Sequence, residues 1–277
     1  MEHLKEKVNN KIESSKKNIQ GKLVWIADEY RSELEKIVEQ FDNEPPRGEI
    51  IADGRNDLIK IKSLTSKDLV VKKFNLIRNY DKLRFCFLDS KAIRSLRIAL
   101  ALREIGIKTP APVAVVEKRG KFNQLLYSYY VTEYIDYDYN LLDIMRDDDH
   151  PKRNEVKKIV PSLAQNIKKM HDAGIVHNDL HEGNILINNF SQEADFYYID
   201  LNRGRIIEEL NRKKRMNDLA RFKFNDAEQE KFMKAYSPED YLKLLAIMKE
   251  QKKKRQRFLQ WKRKIRRKIK SLFQTNN

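Results

Sequence analysis

The stretch "HNDLHEGNILI", His177 to Ile187, sets a carboxylate, Asp179, five residues before an amide, Asn184, with an apolar strand-like run directly after it. Asp and Asn favour turns, so a polar turn before a strand would explain this spacing by itself. The neighbourhood asks for more. A second strand-like run, "FYYID", ends in Asp200 with fifteen residues between it and Asn184, enough for a hairpin that brings the two ends together. Phosphoryl transfer from a nucleotide needs few protein groups: a carboxylate that orients a hydroxyl and receives its proton, oxygen ligands for magnesium, and a cation on the phosphates. Asp179 can serve as the first. Asn184 and Asp200 can supply hard oxygen ligands for magnesium. Lys72, at the end of "LVV", can reach the phosphates from a strand, unless it is an ordinary solvated strand lysine.

Outward from this stretch the texture changes by blocks. Upstream, "KKIVPSLAQNIKKMHDAGI" carries apolar residues at 159, 163, 167 and 170 and stops at Gly174, which predicts an amphipathic helix. "VAVVEKRGKFNQLLYSYYVTEYI" predicts a two-stranded hairpin with its turn near Gly120. "SKAIRSLRIALALREIGI" predicts a strong helix, closed by Gly106 and "TPAP". "EIIADGRNDLIKIKSL" and "DLVVKKF" predict strands. Residues 1 to about 44 read as helix, with apolar spacing at 34, 37, 38 and 41, before Pro45 and Pro46 break the pattern. Downstream, about 217–249 reads as helix with polar breaks. The expected class is therefore α+β: a small lobe built on an antiparallel sheet with one helix, and a larger helical lobe, with a cleft between them. The expected segments are a helical extension (1–45), the sheet lobe (46–135), the helical lobe (136–248) and a basic tail (249–277).

The 277 residues are 40% apolar, enough for a sizeable core. No run approaches the roughly 18 apolar residues of a spanning helix. The start, "MEHLKEKVNNKIESSKK", lacks the apolar centre of a secretory signal. Cys86 is the single cysteine, which fits a reducing cytoplasm and excludes internal disulfides and cysteine-based metal sites. The net charge of +16 is uneven: residues 249–270 hold thirteen Lys or Arg against Glu250, which leaves about +4 for the rest. A near-neutral body with a basic end argues against a nucleic-acid groove along the body and for an anionic surface met at one end.

"HDAGIVHNDLHEGNILI" followed by "YYIDLNRGRI" resembles the catalytic and metal-binding loops of the protein-kinase-like fold, through the pattern H-x-D-L-x-x-x-N. "DLVVKKF" resembles the strand that bears the phosphate lysine. Lys72 stands at that position, and Lys73 competes because a slip of one residue turns a side chain to the other face. "SKAIRSLRIALALREIGIKTPAPVAVVE", "DLNR" and "RMNDLARF" resemble a narrower group, the bacterial lipopolysaccharide core kinases that phosphorylate heptose or Kdo. The resemblance spans roughly residues 48–235 and implies ATP and magnesium as cofactors. It implies Asp179 as the catalytic residue, Asn184 and Asp200 as metal ligands, and Lys72, Gly54 and Glu133 on the nucleotide side. Gly54, in "DGRND", is the lone glycine of a poor phosphate loop and reads equally as a hairpin glycine. Glu133 stands where the chain crosses between lobes, and adenine contacts there come from backbone in kinases.

The departures carry information. Asn178 replaces the arginine that protein-phosphorylating kinases use to read loop phosphorylation, and no Ala-Pro-Glu follows Asp200. Both imply a small-molecule or lipid-linked sugar acceptor. No helix glutamate is evident to pair with the lysine; Arg97 and Glu104 occupy that helix. His177 reads as structural, and zinc held by His177 and His181 lacks both a helix and a third ligand. In the tail, Phe258, Leu259, Trp261, Ile265, Ile269, Leu272 and Phe273 interleave with cations. That pattern reads either as a solvated charged helix or as a membrane-surface helix on anionic cytoplasmic lipids, with RNA as another anionic partner for the tail alone. The expected protein is an ATP-dependent sugar kinase, cytoplasmic and peripheral on the inner membrane face. Other readings stay open: a kinase for another small molecule or a protein, and a catalytically dead, kinase-shaped adaptor binding membrane or RNA.

Overall fold

The computed structural model describes residues 2–42, 44, 46–52, 56–62, 67–76, 84–191 and 193–274. Gly54, expected near the phosphates, lies outside them. Helix α1 (Glu2–Ser15) buries Val8 and Ile12. The helical reading of residues 1–45 then fails: β1 (Lys16–Ile19) and β2 (Lys22–Ile26) form an antiparallel hairpin. The cause is local. Gln20 and Gly21 both take left-handed backbone, with φ of 53° and 72°, the two-residue turn whose twist matches flanking strands. Asn18 Oδ1 accepts from the Gly21 N–H at 2.9 Å, and "KLVWI" supplies branched and aromatic strand formers. Helix resumes only at α2 (Arg31–Ile37), so the helical spacing of "ELEKIVEQF" is real but local.

Five more strands and a helix complete the first lobe: β3 (Glu49–Ala52), β4 (Asn56–Ile61), β5 (Leu69–Phe74), α3 (Lys91–Glu104), β6 (Pro112–Arg119) and β7 (Leu125–Glu133). The described strands join in the order β1-β2-β6-β7-β5-β4-β3, every neighbour antiparallel. Because side chains alternate across a sheet, its two faces bury different partners. Trp25, Phe74, Val115 and Tyr130 pack with α1 and α3. Val24, Val71, Val116, Tyr129 and Val131 pack beneath Tyr30, Leu34, Val38 and Phe41 of the N-terminal segment. Ser90 caps α3, its Oγ accepting from the Ile93 N–H at 3.1 Å, and Gly106 closes it with φ of 68°.

The second lobe comprises β8 (Tyr139–Asn140), α4 (Leu141–Arg146), α5 (Val156–Asp172), β9 (Ile175–Val176), β10 (Ile185–Asn188), β11 (Asp195–Tyr198), β12 (Arg205–Ile206), α6 (Arg212–Leu219), α7 (Asp226–Tyr236) and α8 (Tyr241–Gln274). Helix α5 fully buries Ile159, Leu163, Ile167 and Met170, the stripe its periodicity predicts. β10 pairs with β11 and β8, and β12 with β9. No break falls at 248/249: α8 runs through it, with Leu244, Met248 and Gln251 buried in the lobe and Phe258 and Trp261 exposed. The lobes meet closely at Gly204, where a Cβ would come 2.8 Å from Ile98 of α3.

Candidate active site

The loop between β9 and β10 is built around one buried carboxylate. Asp218, on α6, accepts from the backbone N–H of His177 at 2.9 Å and of Asn178 at 2.7 Å, and lies 3.3 Å from His171 Nε2. Tyr236 holds the other His171 nitrogen at 2.8 Å. Burial pushes the Asp218 carboxyl up, but His171, His177 and the backbone donor outweigh it and hold it below the usual carboxylate range. His177 ties the loop to the far strand: its Nε2 lies 2.9 Å from the Ile199 carbonyl, while its Nδ1 accepts from the Asp179 N–H at 3.3 Å. Its role here is structural. Asn178 adopts left-handed backbone (φ 60°), which asparagine tolerates better than most residues. Its amide donates to the Arg203 carbonyl at 3.1 Å.

This scaffold brings Asp179 and Asp200 to the cleft, with Asn184 buried behind them. The Asp179 carboxylate meets the Arg221 guanidinium, and Arg203 at 3.3 Å. Asn184 donates from Nδ2 to the Asp179 carbonyl at 2.8 Å, and its own carbonyl accepts from the Ile199 N–H at 3.1 Å. Asp200, left-handed at φ 59°, follows directly. Its Oδ1 accepts from Lys72 Nζ at 2.7 Å and from the Asn202 amide. Burial pushes the Asp200 carboxyl up; Lys72, His177 and Asn202 together draw it below the usual range.

Strand register separates the two lysines. Lys72 pairs opposite Tyr130 and Lys73 opposite Tyr129. Tyr129 belongs to the outer face of the sheet and Tyr130 to the face over α3, so Lys72 is the one on the cleft side. Helix α3 presents no acid to it. Arg97 is held by Asp89 and Asn9, both at 2.8 Å, and Glu104 by Lys7. Ser95 of α3 lines the cleft instead, and Lys72 reaches across to Asp200.

Two cavities meet at Asp200. One, of about 500 Å³, is a largely apolar slot between Leu58, Val70, Tyr130, Leu186 and Ile199, with Lys72 and Asp200 also in its lining. Glu133 borders this slot, but its carboxylate is taken by Tyr30 (2.7 Å) and Lys67 (2.9 Å). Burial pushes the Glu133 carboxyl up, and those two partners draw it down below its ordinary value. The second cavity, of about 890 Å³, is lined by both Asp179 and Asp200 and is rich in Lys and Arg.

The donor set fits magnesium. Asn184 Nδ2 is spent on a carbonyl, which turns its amide oxygen away, and Asp200 adds a carboxylate. Magnesium keeps waters and phosphate oxygens, so two protein ligands suffice. Among the described residues no cluster of three His, Cys, Asp or Glu side chains forms an all-protein cage. Asp218, Arg221 and Arg203 were not singled out from the sequence. Asp218 and Arg221 both fall in "RMNDLARF", Asp218 in the last turn of α6 and Arg221 just past its end.

Fold and site together define a two-lobed, protein-kinase-like molecule. The sequence model of the lipopolysaccharide kinase (Kdo/WaaP) family matches residues 67–247, and the chain belongs to that family. Among curated relatives, the 3-deoxy-D-manno-octulosonic acid kinases of Haemophilus influenzae strains PittGG and 86-028NP are 26% and 27% identical to it over 126 residues. Each match covers 45% of this chain and 50% of the relative, so the chain spans about half the length of the curated relatives it matches. Among solved structures, WaaP in complex with acyl carrier protein aligns with a TM-score of 0.58 and 19% identity, covering 83% of this chain and 98% of that one. At that identity the likeness speaks for the fold.

Proposed function

We propose that this chain is an ATP- and magnesium-dependent kinase that phosphorylates a hydroxyl of a lipopolysaccharide core sugar at the cytoplasmic membrane face. The observation that carries the reading is the junction of the two cavities, where Lys72 and Asp200 are in contact and Asp179 opens on the acceptor side. The apolar slot suits an adenine ring, and Lys72 at its inner end suits the phosphates. Magnesium, held by Asn184 and Asp200, would neutralise charge on the transferring phosphoryl oxygens. Asp179 accepts a hydrogen bond from the acceptor hydroxyl. As the new O–P bond forms and the bond to the ADP oxygen breaks, the hydroxyl proton passes to Asp179. Arg221 and Arg203 fix that carboxylate in place, which suits a reaction dominated by positioning.

The matched relatives make 3-deoxy-D-manno-octulosonic acid the first sugar to test and heptose the second. With labelled ATP, magnesium and a lipid acceptor bearing either sugar, transfer is expected, and Asp179→Asn should slow it about 10²- to 10⁴-fold. Transfer to neither sugar, or an undiminished rate in the variant, would overturn the reading.

Among the described residues no helix is long and apolar enough to cross a membrane. Peripheral attachment is supported instead by α8, where Phe258 and Trp261 are 56% and 58% exposed amid cations. The side chains of Ile269, Leu272 and Phe273 lie outside the described ones. Vesicles of anionic phospholipid should retain the protein, and Phe258→Ser with Trp261→Ser should release most of it; equal retention of both would remove the membrane role.

A further inference from the structure

The acceptor-side cavity holds more positive charge than phosphoryl transfer uses. Arg84, Arg94, Arg205, Lys214, Lys262 and Arg266 all line it, and none of them lines the nucleotide slot. Among the described residues, no carboxylate lies within ion-pair distance of Arg84, Arg205, Lys214, Lys262 or Arg266. The two acids in the lining are already engaged, Asp179 by two arginines and Asp200 by Lys72. Burial and the neighbouring Arg84 and Arg205 draw the Arg94 guanidinium below its ordinary value, although Asp89 partly offsets them. Such a cluster becomes favourable when the ligand brings the negative charge with it.

Two of these cations come from an unexpected element. Helix α8 is anchored by Leu244 and Met248 in the core of the second lobe, then continues unbroken past the cavity mouth. Lys262 and Arg266 are four residues apart and therefore share a face. Phe258, Trp261 and Ile265 occupy the adjoining, exposed strip. One side of the helix thus walls the cavity, and the strip beside it meets the surroundings.

We propose that the acceptor carries anionic groups, carboxylate or phosphate, besides the hydroxyl that is phosphorylated, and that Lys262 and Arg266 of the C-terminal helix read one of them and set acceptor specificity. This rests on the kinase reading above and extends it: the tail is part of the acceptor site as well as a membrane element. Direct contact with a carboxylate or phosphate by an ammonium and a guanidinium is a charge-assisted interaction of the stronger kind.

The test uses the full chain, a 3-deoxy-D-manno-octulosonic acid-bearing lipid A precursor in neutral detergent, and the same phosphorylated glycan freed of its acyl chains. The variant is Lys262→Ala with Arg266→Ala. A control with the same change of charge, Arg263→Ala with Lys264→Ala, alters two helix neighbours that do not line the cavity. The first variant should raise KM for the lipid acceptor about tenfold or more, leave KM for ATP within about twofold, and weaken calorimetric binding of the deacylated glycan by a similar factor. An unchanged acceptor KM overturns the proposal. So does an equal loss in the control, a parallel rise in KM for ATP, or an effect confined to acylated acceptor in anionic vesicles, which would assign the cations to the membrane surface. If the wild-type protein transfers phosphate to no sugar acceptor, the kinase reading fails, and glycan binding by the two variants still decides this inference.

Discussion

Asp200→Ala is expected to abolish phosphate transfer, lowering turnover by about 10³-fold or more, because it removes the charged member of the proposed magnesium pair. Two further effects distinguish this loss from simple misfolding. First, Lys72 loses the carboxylate 2.7 Å away that orients it across the cleft. Magnesium would also lose its charged ligand, so thermal stabilisation by ATP should stop depending on it, whereas the wild-type protein should melt higher with both than with ATP alone. Second, residue 200 sits at φ 59°, a backbone that alanine adopts at a cost of about 1–2 kcal/mol. Asp200→Asn avoids most of that cost, since asparagine accepts this conformation. It should melt closer to wild type and still transfer phosphate poorly. Wild-type turnover in either variant would remove Asp200 from the chemistry.

Asp218→Ala is expected to give the largest loss of stability, about 3–5 kcal/mol in chemical denaturation at neutral pH. The side chain is fully enclosed and serves two backbone N–H groups and His171 at once, so its removal strands several buried donors together. Acid should act on the same group. The folded Asp218 carboxyl titrates below its ordinary value, so the unfolded chain takes up the proton first. The stability it contributes is fully present above about pH 4 and is lost as pH falls through the folded value. Asp218→Asn should flatten this part of the acid unfolding profile. A variant with wild-type stability at pH 7 and an unaltered acid limb would contradict the anchoring role. Because the N–H groups of His177 and Asn178 hang from Asp218, turnover should fall as well, although Asp218 touches no reactant.

The two-lobed architecture was legible because its signals are short-range. Stripes such as 159, 163, 167 and 170 and the strand-like "NILI" and "FYYID" each specify one element. The spacing H-x-D-L-x-x-x-N then names a loop. The hairpin at 16–26 was missed because Gln20-Gly21 is a weaker turn signal than Asn-Gly, and the helical spacing at 34–41 overshadowed it. Lys72 and Lys73 are equivalent in sequence; only the pairing of β5 with β7 divides them. Asp218 and Arg221 act on residues about forty positions earlier, a closure that no local pattern records. The tail's charge was plain in the sequence. That α8 continues straight out of the core and brings Lys262 and Arg266 to a cavity is a matter of direction, which composition does not carry.

Residues 16–41 also decide which sheet surfaces are left open. They roof the outer face of the sheet, where Tyr129, Val131 and Val116 lie buried, and β2 occupies the flank of β6. A two-lobed body without them would present a bare oily face beside an unpaired strand, the combination that templates edge-to-edge association between copies. In the intact chain that flank ends instead in the short β1, whose Lys16 and Lys17 make a poor seat for another strand. The segment that looks like an appendage thus covers an oily face and a strand flank that would otherwise lie open.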